Sequence, residues 1–104
     1  MEELLKKLGL SKYTSGVYDE DGCYVVDFMN GYAECANVML ILESLPESII
    51  EKEDHQGDPL SEHLISIHYF TKNMDSGDYM ISLVGNLDSD TGTMTIKKID
   101  EDER

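Results

Sequence analysis

Residues 30–46 read NGYAECANVMLILESLP, and the fold turns on whether they run as helix or strand. Asn30-Gly31 between two apolar runs is a strong hairpin signal, which would make Tyr32 onward a third strand. The residues that follow point the other way. Ala33-Glu34-Cys35-Ala36 and Met39-Leu40 favour helix, and Cys35, Val38, Met39, Leu42 and Leu45 fall at helical spacing. Pro46 ends the segment. The spacing predicts a helix over 33–45, apolar nearly all round, as suits an element lying across a sheet.

Toward the N-terminus, Cys23–Met29 has Tyr24, Val26 and Phe28 on one face and Cys23, Val25, Asp27 and Met29 on the other. That pattern predicts a central strand with nearly two-sided burial. Asp19-Glu20-Asp21-Gly22 is a turn cluster, and it joins this strand to Val17-Tyr18 as a hairpin. Glu2–Leu8 reads as a short helix with acids first, lysines last and Gly9 as a stop.

Toward the C-terminus, residues 46–62 hold Pro46, Gly57, Pro59 and six acids. They read as a loop with room for a short strand at 48–52. Three strands then follow, at His63–Thr71, Tyr79–Leu87 and Thr93–Ile99, joined by turns at 73–78 and 88–92. The sum is an α+β two-layer sandwich. It has a mostly antiparallel sheet of about five strands, a short N-terminal helix and one apolar helix packed on the sheet. One domain covers 1–99, and 100–104 is an acidic, frayed tail.

Charge dominates the composition. Twenty-two acidic residues face eight basic ones in 104 residues, a formal charge of -14, and residues 19–62 carry most of the excess. Such a field repels nucleic acid and anionic membrane and favours a basic partner. A content of 40% hydrophobic residues, clustered in runs, indicates a folded domain rather than disorder. No run approaches a membrane span, and Met1-Glu2-Glu3 is acidic where a signal peptide is basic, so a cytoplasmic location is expected. Cys23 and Cys35 are too few for a disulfide framework and read as small, partly buried hydrophobes.

The chemical motifs are weak. Asp90-Thr91-Gly92 matches the aspartic-protease tripeptide, but it follows Asp88-Ser89 rather than an apolar strand, and a hairpin turn accounts for it. Loops starting at Asp19 and Asp88 lack the glycine and terminal glutamate of a calcium hand. His63 and His68, five apart on one strand, point to opposite faces, and neither cysteine stands in a CxxC pair. There is no GxGxxG, Walker A, HExxH or GxSxG motif. No catalytic residue, cofactor or metal is assigned.

The acids themselves are the candidate site. Carboxylates at i and i+2 on a strand stand about 6.6 Å apart, comparable to two base steps along a nucleic-acid strand. The candidate partner-binding residues are Asp19, Glu20 and Asp21 on one turn, and Glu47, Glu51, Glu53, Asp54, Asp58 and Glu62 on the long loop. Tyr18, with Tyr13 and Tyr32, offers aromatic anchors beside them. The expected partner is a basic protein, a nuclease or other nucleic-acid-binding complex. Direct contact with nucleic acid or membrane is not expected, and a homodimer is compatible.

In size, charge, lack of catalytic motifs and mixed α+β pattern, the chain resembles the small acidic inhibitors that phages direct against host nucleases, the anti-restriction and anti-CRISPR proteins. What the resemblance implies is a non-enzymatic inhibitor that mimics DNA or RNA. It rests on character rather than on a motif, so it assigns no residue. Two other classes fit the same sequence: an immunity protein neutralising a cognate toxin, and a small ligand-binding domain or enzyme using the crevice between sheet and helix.

Overall fold

Leu4, Leu5 and Leu8 shape the first element. They lie on one stripe of a single helical turn and are all buried, and α1 spans Glu2–Lys7. Its acids open the first turn and its lysines close the last, each complementing the helix dipole. The computed structural model describes residues 1–52, 64–72 and 77–99.

The expected hairpin follows, with β1 at Val17–Tyr18 and β2 at Tyr24–Asp27. The Asp19 side chain builds the turn: its Oδ1 accepts from the backbone N–H of Asp21 and of Cys23, both at 2.9 Å. Gly22 takes the left-handed backbone at φ +82°, where a side chain would be strained. Burial of β2 is one-sided. Tyr24 and Val26 are buried, whereas Val25 is half-buried and Asp27 exposed.

At 30–46 the helix prevails over the hairpin, and α2 spans Gly31–Glu43. Gly31 serves close approach rather than a turn. A Cβ there would strike the backbone of Thr91 and Gly92, so glycine lets the first turn of α2 rest directly on a strand. Cys35, Val38, Met39 and Leu42 form the buried stripe of the helix, and Leu40 faces outward.

The remaining strands are β3 (Ile50–Lys52), β4 (Leu64–Thr71), β5 (Tyr79–Asn86) and β6 (Thr91–Lys98). With β1 and β2 they make one six-stranded antiparallel sheet in the order β1-β2-β6-β5-β4-β3. The short strand foreseen within 48–52 is β3, and it brings the expected five or so to six. The last strand of the meander folds back beside the first hairpin, with Tyr24–Asp27 paired to Ile96–Thr93. α2 packs on β4, β5 and β6. Ile65, Ile67, Ile81, Leu83, Met94 and Ile96 alternate inward beneath it and join the α1 leucines in one core.

The loop read for 53–62, most of the turn read for 73–78 and the tail at 100–104 lie outside the described residues. Among the described residues no helix is long and apolar enough to cross a membrane.

Candidate functional site

Alternation along the strands leaves the sheet a second face, which no described element covers. Cross-strand register lines up Val25, Thr95, Ser82 and His68 in one row, and Asp27, Thr93, Val84 and Ser66 in the next. These side chains are half-buried or exposed, with Val84 at 54%. The centre of the face holds hydroxyls, apolar side chains and the His68 imidazole. Its charges stand at the margins: Asp27, which accepts from the Thr93 hydroxyl at 3.0 Å, Lys97, and Glu51 on the β3 edge.

The hairpin turn stands at one edge of this sheet. Glu20 and Asp21 are exposed there, while Asp19 is committed to holding the turn. Tyr18 beside them is 60% exposed and packs edge-to-face on Tyr24, with ring centroids 5.3 Å apart. A rigid turn bearing two outward carboxylates and a supported aromatic ring presents charge without first having to be ordered.

Tyr13 and Tyr32 are placed differently. Tyr13 is buried, and its hydroxyl donates to Glu34 Oε2 at 2.6 Å, with Lys12 Nζ 3.4 Å from the same oxygen. Burial, then the bond to Glu34, pushes the Tyr13 phenol well above its ordinary pKa. The bond from Tyr13 is in turn the main cause that holds Glu34 below the ordinary carboxylate value. Tyr32 is half-buried against the core. The sequence signals its aromatic residues but not which of them the fold encloses.

Glu47 and Glu51 lie near the opposite edge of the sheet. β1 and β3 are its two ends, five strand spacings or roughly 24 Å apart. The structure therefore does not gather the described acidic candidates into one patch. Glu53, Asp54, Asp58 and Glu62 lie outside the described residues.

At that far edge Glu47 and Glu51 help line a cavity of about 390 Å³, between the C-terminal end of α2 and strands β3 and β4. Leu42, Leu45 and Ile50 supply its apolar wall, and Lys52, Lys72, Glu43 and Tyr69 its polar groups. The sequence suggests a crevice between helix and sheet but assigns no residue to it; Glu47 and Glu51 are candidates there for partner binding. Tyr69 shares a strand face with Ile65 and Ile67, so its place in the lining has no local signal in the sequence.

The other motifs resolve into structure. Asp90, at φ +50°, belongs to the β5–β6 turn, and Gly92 carries no side chain because Gly31 occupies that space. Asp90-Thr91-Gly92 is thus a turn leading into a helix contact. Cys35 Sγ donates to the Val84 carbonyl at 3.3 Å, and burial raises its pKa, which suppresses the thiolate. His68 lies on the uncovered face, while His55 and His63 are outside the described residues. Among the described residues no three His, Cys, Asp or Glu side chains gather as a metal set. Compared with known proteins, the chain matches no family model, no curated protein and no solved structure.

Proposed function

We propose that this chain is a non-catalytic acidic binding protein that docks on a basic, nucleic-acid-handling protein and blocks it by presenting carboxylates where phosphates would lie. The placement of Glu20, Asp21 and the exposed Tyr18 on one braced turn, in a chain of charge -14, carries the reading. Charge of this density steers association with a basic groove and weakens as salt screens it. Tyr18 supplies the desolvated contact that charge alone lacks. The support is a two-layer α+β sandwich, with α2 on one face and the other left to the partner. Its uncharged centre and charged margins match the apolar core and polar rim of protein interfaces. The setting is cytoplasmic, and the class is that of the phage anti-restriction and anti-CRISPR inhibitors. An immunity protein acting on a cognate toxin would use the same surface and differ only in its partner.

Charge reversal tests this. Glu20→Lys with Asp21→Lys, and separately Glu51→Lys with Glu53→Lys and Asp54→Lys, are expected to weaken binding to the captured partner by roughly tenfold or more. The far-ultraviolet circular dichroism of both variants should stay unchanged. Affinity that survives both reversals would refute the electrostatic mimic.

A further inference from the structure

Four side chains form one row across the uncovered face of the sheet. Register pairs Lys97 on β6 with Met80 on β5, Met80 with Phe70 on β4, and Phe70 with Glu51 on β3. The two ends of the row are exposed and opposite in charge, and its two middle side chains are apolar and half-buried. Such a row is complementary to itself when turned end for end. Lys72 Nζ stands 3.9 Å from Glu51 Oε2, in Coulomb range but beyond a hydrogen bond, so that carboxylate keeps lone pairs for another donor.

The apolar side chains nearby follow the same symmetry. Met80 and Val84 on β5, and Phe70 and Leu64 on β4, straddle the line between those two strands. Val84 is 54% exposed and Leu64 49%, so the covering that this face has within the chain is incomplete.

We propose that in the free protein this face is covered by a second copy of the same chain, related by a two-fold axis that runs along the strands between β4 and β5. Rotation about that axis sets β5 of one copy over β4 of the other. Met80 then meets Phe70 and Lys97 meets Glu51, each contact being made twice. The strands of the two sheets run aligned within about 30°, as in other face-to-face sheet packings. Strands β3 to β6 span about 19 Å across and about 26 Å along, or roughly 500 Å² a copy. The pair therefore covers about 1,000 Å² before the relief of the side chains is counted, which reaches the lower bound for a specific interface.

Charge also selects the occupant. A basic surface laid over the row would meet Lys97 with like charge, whereas a second copy answers it with Glu51. The hairpin turns, two strands beyond β6, stay at the outer ends of the dimer, so their carboxylates are kept apart and open to solvent. A basic partner held at the hairpin reaches the rest of the face by displacing the second copy.

The test is analytical ultracentrifugation of the intact chain from about 1 to 500 μM, in about 0.15 M salt to screen the repulsion between two -14 chains. It should show a reversible equilibrium between the 11.7 kDa chain and a species of twice that mass. Lys97→Glu and Glu51→Lys, both checked for folding by circular dichroism, should each weaken dimerisation roughly tenfold or more, because one substitution alters both symmetric contacts. The double variant restores opposite charges and should return the affinity to within about threefold of wild type. Val84→Asp, at an exposed position, should abolish the dimer and leave the circular dichroism unchanged. A chain that stays monomeric across the range would overturn the dimer. A dimer that Val84→Asp and both single charge variants leave untouched would overturn this face. Single variants that weaken it without rescue by the double would overturn the two-fold pairing. All of these are read on the protein alone, so failure here is distinguishable from failure of the inhibitor reading.

Discussion

Tyr13 and Tyr69 are two enclosed phenols, each beside a glutamate. One donates to Glu34 across 21 residues of sequence, and the other is enclosed beside the Glu43 carboxylate. Both have raised pKa values, which sets the sign of the alkaline response. The folded chain retains protons that the unfolded chain gives up above 10.0, so this stability is intact below that pH and is lost as pH rises through the folded values. Urea unfolding followed from pH 8 to 11.5 should show stability falling above about pH 10. Tyr69→Phe should shallow that fall, because it removes one of the two raised phenols. A Tyr69→Phe protein whose stability falls as steeply as the wild type's above about pH 10 would contradict the raised phenol. Glu34 acts in the other direction. Its lowered pKa supports the fold above the ordinary carboxylate value, and that support is lost as pH falls through the lowered one. None of this was legible in the sequence, because each pairing depends on distant strands and helices meeting.

At the scale of elements, the local patterns were legible and the long-range meetings were not. The apolar spacing from Cys35 to Leu42 identified α2, and Asp19–Gly22 identified the hairpin, since both signals lie within a few residues. The pairing of β2 with β6 joins residues nearly seventy apart, and no turn between them announces it. Asn30-Gly31 shows the limit clearly. The dipeptide resembles a hairpin turn, yet Gly31 is there because Gly92 lies against it. Since each glycine's missing Cβ makes room for the other's backbone, Gly92→Ala should destabilise the fold by about 3 kcal/mol through displacement of α2 from β6. Gly22→Ala should cost less, about 1 kcal/mol, because nothing stands near that position and only its left-handed backbone resists. Thermal denaturation of the two variants checks the order, and a reversal would contradict the close α2–β6 approach.

Over the whole molecule the described acidic candidates are divided rather than gathered. The hairpin acids and the β3-edge acids stand at opposite ends of a six-stranded sheet, with a face whose charges lie at its margins between them. Composition revealed the excess; only the strand order revealed its division. A partner that engages both edges must therefore span the sheet, whereas one that engages the hairpin alone meets Tyr18, Glu20 and Asp21. The most direct measurement is a lysate pulldown with the wild-type chain and the Glu20→Lys, Asp21→Lys variant as parallel baits, each washed at low and at near-physiological salt. The inhibitor account predicts a basic nuclease or nucleic-acid-binding protein that the wild type retains, that the salt wash depletes, and that the variant fails to capture. Captured proteins identical for both baits and indifferent to salt would contradict it.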